Sequence, residues 1–225
     1  MKVDTNSSTA FAVKDCALVA IATGQKAQDL RELRDKLHTI PQGSIYYHFW
    51  GSRLRPRFDD PQYINDFATW THYQVHDDTL AERLAIVDPT DFQDLESLRQ
   101  ELIEIVEQRL DEIQWPTLVR SDAQFHFIRS QIVVFDTGYC VESPEGLAES
   151  VPNMSLGSIY YHFIDARHRL PTGQNDFFTW LNGFGETYRD LCVKLASIDP
   201  YFVTLGELRS NLANVFTQYF GRQAL

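Results

Sequence analysis

Leu95, Leu98, Leu102, Ile105, Val106 and Leu110 fall on one face of a 3.6-residue period, leaving Glu96, Glu101, Glu104 and Glu107 for solvent, so this stretch predicts an amphipathic helix. The stripe returns 110 residues later as Leu205, Leu208, Leu212, Val215, Phe216 and Phe220. Asp88-Pro89 and Asp199-Pro200 precede the two stripes, where an Asp-Pro pair suits the start of a helix. Further upstream, Phe125 to Phe135 is rich in aromatic and β-branched residues and runs into Thr137-Gly138, predicting a strand closed by a turn. Its more Ala-rich counterpart, from Phe11 to Thr23-Gly24, predicts the same element. Helical spacing occupies Gln28 to Leu37 and Pro144 to Val151, the latter opened by Ser143 as N-cap with Pro144 at the first helical position. The surroundings of Trp70 and the run Leu80 to Ile86 predict further helices.

These elements recur because the chain is an internal duplication. Gly43-Ser44-Ile45-Tyr46-Tyr47-His48-Phe49 returns as Gly157-Ser158-Ile159-Tyr160-Tyr161-His162-Phe163, an offset of 114 residues. The same offset pairs Phe11 with Phe125, Leu18 with Ile132, Val19 with Val133 and Leu33 with Leu147. Asn65-Asp66-Phe67 and Thr69-Trp70 match Asn175-Asp176-Phe177 and Thr179-Trp180 at an offset of 110, so copy two is four residues shorter between the motifs. We therefore expect a mainly helical α+β protein, a tandem duplication of one module with a short strand and about four to five helices, related by a pseudo-two-fold. Residues 1–113 form the first module, 114–124, containing Trp115-Pro116, a linker, and 125–225 the second.

Composition narrows the class. A chain of 225 residues that is 44% hydrophobic can bury a core without staples. A net charge of −11 disfavours both sequence-independent nucleic-acid binding and an anionic membrane surface. Copy one, from Phe11 to Gln114, carries 11 basic and 19 acidic residues, against 6 and 10 from Phe125 to Gly221. Cys16, Cys140 and Cys192 form no CxxC pair, and their odd number fits reduced thiols and a cytoplasmic location. The apolar run Ala17 to Ala22 is too short for a membrane span, and the sequons at Asn6 and Asn153 carry no weight for a cytosolic chain.

The motifs in Phe11 through Gly24, Gly43 through Phe49, Asn65 through Trp70, Phe125 through Gly138 and Ser158 through Arg169 resemble a bacterial family catalogued as a conserved domain of unknown function. The resemblance implies a two-copy cytosolic protein without an established activity, loosely associated with carbohydrate-metabolism genes. It supplies no catalytic residue. Gly43 to Phe49 is also similar to the end of the helix-turn-helix in TetR-type repressors. Against that reading, Pro41 falls where the recognition helix should finish, the spacing from Leu33 is about one residue too long, and no basic run adjoins the motif. Copy two repeats the misfit with Pro152 and starts a second module where a ligand domain should follow.

The candidate chemistry lies in two matched sets: Tyr47, His48, Asp66 and Trp70, and Tyr161, His162, Asp176 and Trp180. A functional reading makes each a pocket in which aromatic plate, carboxylate and imidazole hold a polar ligand such as a sugar or sugar phosphate. A structural reading makes Tyr and Trp core anchors, bonds His to a backbone carbonyl, and uses Asn65 or Asp66 as a helix cap. The structural reading is preferred. Basic residues follow each histidine, Arg53, Arg55 and Arg57 in copy one and Arg167, His168 and Arg169 in copy two. They could accept a phosphate, a carboxylate or the acidic helix of the other copy.

Other combinations are weaker. His162, Asp165 and His168 could ligate a metal, but copy one has Gly51 and Leu54 in place of the last two, and no metal or cofactor is expected. His72 and His76 stand one helical turn apart and lack counterparts; Cys16 pairs with Ser130 and suits a buried strand position. Phosphate loops and nucleophile elbows are absent. The expected role is a non-enzymatic binding or regulatory protein whose partner is a protein or a small polar ligand. An enzyme or sensor for sugars or sugar phosphates is the alternative.

Overall fold

Strands β1 (Phe11–Ala27) and β2 (Phe125–Val141), 17 residues each, pair as a two-stranded antiparallel sheet in a computed structural model that describes residues 10–54, 62–113, 120–170 and 172–223. Neither strand ends at its Thr-Gly pair, as the sequence had suggested. Gly24 (φ 76°) and Gly138 (φ 69°) lie inside the strands as left-handed bulge residues. The preceding threonines stitch the bulges. Thr23 Oγ1 donates to the Phe127 carbonyl (2.7 Å) and accepts from Gln25 N–H, while Thr137 Oγ1 donates to the Val13 carbonyl and accepts from Tyr139 N–H.

After β1 come α1 (Leu30–Leu37), α2 (Gln42–Trp50), α3 (Asp66–Trp70), α4 (Asp78–Ala85) and α5 (Leu95–Glu112). After β2 come α6 (Leu147–Ser150), α7 (Leu156–Ile159), α8 (Ala166–Arg169), α9 (Asp176–Asn182), α10 (Arg189–Ala196) and α11 (Leu205–Gln223). The fold is thus mainly helical α+β, with one strand opening each half. The long helices α5 and α11 bury the expected stripes through Leu98, Leu102 and Val106 and through Leu205, Leu208, Leu212 and Phe216. Their caps differ from expectation. Asp88 heads only a short 3-10 turn, and α5 is capped by Asp94, which accepts from Ser97 N–H. In copy two, Thr204 and Glu207 form a reciprocal capping box at the start of α11. Ser143 stands at the start of the Pro144–Gly146 turn without a side-chain cap bond.

The chain divides into two compact units, Met1–Ala17 with Val133–Leu225, and Leu18–Ile132. Each unit therefore contains the helices of one copy and the first residues of the other copy's strand. In the unit Leu18–Ile132, Phe125 and Phe127 are buried with Phe67, Ile45 and Leu102; in the other, Phe11 and Val13 are buried with Phe177, Ile159 and Leu212. Residues 114–119 of the expected linker lie outside the described residues. Beyond them, Ser121 N–H bonds the Gln28 carbonyl and Trp70 Nε1 donates to the Ala123 carbonyl (2.7 Å). No described helix is long and apolar enough to cross a membrane.

Candidate functional site

Helix α2 is buried without interruption from Ser44 to Trp50, because its start lies against β2. Ser44 and His48, one turn apart, both reach Ile128. The hydroxyl donates to the Ile128 carbonyl (2.7 Å), and Nε2 accepts the Ile128 N–H (3.1 Å). A two-stranded sheet leaves edge peptides without strand partners, and here two helix side chains satisfy both groups of one peptide-bearing residue. Copy two repeats the histidine half with Lys14, the residue paired with Ile128 by the 114-residue offset: its N–H donates to His162 Nε2 at 2.9 Å, while Ser158 Oγ accepts from Ser155 Oγ (3.0 Å).

That donor decides the tautomer. A peptide N–H can only donate, so Nε2 is unprotonated in both imidazoles and Nδ1 carries the proton. Nδ1 of His48 then donates to Asp66 Oδ2 (2.9 Å), and Nδ1 of His162 to Asp176 Oδ2 (2.7 Å). The expected backbone carbonyl is replaced by a backbone N–H, the correction following from the strand edge. His48 is 2% and His162 3% exposed. With both ring nitrogens engaged, neither imidazole has a lone pair or proton left for a metal or a substrate.

The carboxylates are positioned by the Asn-Asp motif. Asn65 Oδ1 accepts from Ala68 N–H and Asn175 Oδ1 from Phe178 N–H, each at 2.8 Å, making Asn the N-cap. Asp66 and Asp176 follow in the first turn, where the helix dipole favours negative charge. Thr69 and Thr179 return their hydroxyls to the Asn65 and Asn175 carbonyls. Buried Asn65 also donates to the Leu84 carbonyl (2.9 Å), whereas the equally buried Asn175 Nδ2 has no hydrogen-bond partner.

Aromatic rings close each cluster. Phe125 lies 4.7 Å from His48, stacks on Phe67 at 5.2 Å and meets Trp70 edge-on at 5.6 Å. Phe11 lies 4.8 Å from His162, stacks on Phe177 at 5.2 Å and lies 5.3 Å from Trp180. Tyr47 and Tyr161 meet their neighbouring histidines edge-on and are buried; Trp70 is buried and Trp180 half-buried. The structure thus brings Tyr, His, Asp and Trp of each set together, and adds Phe125 and Phe11 from the strands. Those two phenylalanines are paired by the 114-residue repeat, the signal that could have placed them with the motif.

The basic residues behave differently in the two copies. Arg53 stacks over Trp50 (5.3 Å), and Arg55 and Arg57 lie outside the described residues. Arg167 stacks over Phe163 (4.9 Å) and donates to the Ile198 carbonyl. Arg169 lies over Tyr161 (4.2 Å) and bonds Asp176 Oδ2 (2.8 Å), adding a cation to the His162–Asp176 pair. His168 is exposed. Neither His72 nor His76 shares a ligand with the other: His72 pairs with Asp78 (2.7 Å), and His76 with Asp122 (2.8 Å). Cys16 is buried, donates to the Gly157 carbonyl, and has its thiol pushed up to about 12 by burial and by Asp165 and Asp15.

Among solved structures, the chain is similar to OrfY from Thermoproteus tenax, with a TM-score of 0.80 and 25% identity over 96% of this chain and 98% of that one. No curated protein matches it. The match that covers residues 8–217 is to a family of unknown function, and the chain belongs to that family, DUF5752.

Proposed function

We propose that this protein is a non-enzymatic binding or regulatory protein, whose duplicated Tyr-His-Asp-Trp sets hold strands to helices and whose exposed strand surface meets a protein partner. The observation that carries this reading is the use of both nitrogens of both imidazoles inside the fold. General acid–base chemistry needs at least one of them facing a substrate proton. The helix bearing the repressor-like motif is buried along Ser44 to Trp50, which leaves its motif residues no face for a DNA groove.

The interaction surface in this reading lies on β2, where Val133, Val134 and Phe135 are 39%, 43% and 49% exposed in succession. Successive strand side chains point to opposite faces, so Val133 and Phe135 stand together as an exposed apolar pair, a recurrent mark of protein contact, and Val134 lies on the other face. A Val133→Ser, Phe135→Ser double variant is expected to keep its melting temperature and lose a partner that co-purifies with the unaltered chain. Screening the purified chain on sugars and sugar phosphates is expected to yield no turnover. Turnover that vanishes in His48→Ala or His162→Ala would overturn the reading in favour of the sugar enzyme.

A further inference from the structure

The unit formed by Met1–Ala17 and Val133–Leu225 contains an open cleft of about 500 Å³ between the strands and the α6–α7 segment. Two carboxylates, Asp15 and Glu149, line it together with the Tyr139 and Ser158 hydroxyls, the Asn153 amide and the Met154 side chain. Ser158 is 2% exposed, so part of the floor is a buried hydroxyl. Lys, Arg and His are absent from the lining. The Asp15 Oδ1 atom accepts Cys16 N–H, and Tyr139 shares a hydrogen bond with Ser150 at 2.9 Å, which fixes both side chains.

The duplication gives this cleft a built-in comparison. The residues that hold strand to helix through the imidazole are the same in both copies, namely His48 and His162, Asp66 and Asp176. At the offset of 114, Glu149 keeps a carboxylate in Asp35, whereas Asp15 corresponds to Arg129, Ser150 to Lys36, Ser155 to Pro41 and Tyr139 to Gln25. The lining therefore departs from its counterpart by replacing two cations and a ring with acceptors and small side chains. The shared fold does not require this set of residues.

The geometry points to this cleft as a binding site for a small organic cation with several hydrogen-bond donors, such as a polyamine or an amino sugar. Two carboxylates with no cation among the lining residues favour positive charge on the occupant, the nearby Arg209 guanidinium being spent on the Met154 carbonyl behind the lining, and the hydroxyl and amide oxygens accept its remaining donors. An anionic ligand meets the opposite field. The chain's net charge of −11 reinforces the preference at longer range. This inference is independent of the β2 contact surface, because it concerns different residues and a small ligand.

Calorimetric titration of the full chain with spermidine and glucosamine, beside glucose and glucose 6-phosphate, tests it. At least one amine is expected to bind, weakening with added salt, while glucose 6-phosphate does not. Asp15→Asn and Glu149→Gln should each weaken the amine by about tenfold or more, the scale of one charge-assisted hydrogen bond. Asn153→Trp, at an exposed position, should block the cleft while leaving the melting temperature unchanged. If neither amine binds, if glucose 6-phosphate binds best, or if amine binding survives all three substitutions, the assignment is overturned.

Discussion

His48 and His162 each accept one strand N–H and donate to one helix carboxylate, so removing the ring strands a buried peptide donor and a carboxylate together. His48→Ala should lower stability by about 2–3 kcal/mol, from the orphaned N–H and the lost packing. A Gln at the same position can still accept the Ile128 N–H and should recover part of the loss. Urea denaturation of the two variants checks both the size and the order. The cysteines offer a second check: the Cys16 thiol, raised to about 12 by burial, and the buried Cys192 should resist a disulfide reagent at pH 8, while exposed Cys140 reacts. One fast thiol in the folded protein, and three after unfolding, is the expected titration. At this scale the repeat singled out Tyr, His, Asp and Trp, and the fold brings each set together. It did not reveal what the imidazoles bind, because their strand partners lie 80 and 148 residues away.

Helix starts follow local chemistry, and one matched pair was legible. Asn65 and Asn175 precede their helices by one residue and cap them through short side chains. Asp94 and the Thr204–Glu207 box are local signals too, overshadowed by the Asp-Pro pairs ahead of them. Where elements touch, sequence is mute. Gly43 and Gly157 occupy the same place in the repeat, yet a Cβ at Gly157 would meet the Asp15 carboxylate and lie 2.6 Å from the Cys16 carbonyl, while at Gly43 the nearest atoms are 3.9 Å away. Gly157→Ala should therefore cost about 1–3 kcal/mol, whereas Gly43→Ala should be neutral or stabilise by up to about 1 kcal/mol through better helix propensity. Thermal melts of the two variants distinguish the sites. The Thr-Gly pairs make the same point in the strands: a positive φ is readable from glycine, but whether it turns the chain or bulges a strand depends on the cross-strand partner of the threonine.

Each compact unit combines one copy's helices with the other copy's leading strand residues. The prediction at this scale concerns fragments. Residues 1–117 and 118–225 produced separately should each lack a cooperative unfolding transition, because the helices of each lose the buried apolar strand residues that complete their core, Phe125 and Phe127 or Phe11 and Val13. Mixed in equal amounts, they should regain one. A cooperative monomer from either fragment alone would mean that its own strand can replace the exchanged one. By itself, the sequence determined the duplication, the mainly helical class and the amphipathic faces, because these rest on spacing along the chain. Only the tertiary structure decided which strand completes which core and where the two histidines spend their nitrogens. Phe11 and Phe125, like Lys14 and Ile128, are equivalent by repeat, and a local pattern cannot choose between equivalent partners. That choice is made by contacts between residues 80 and 148 positions apart.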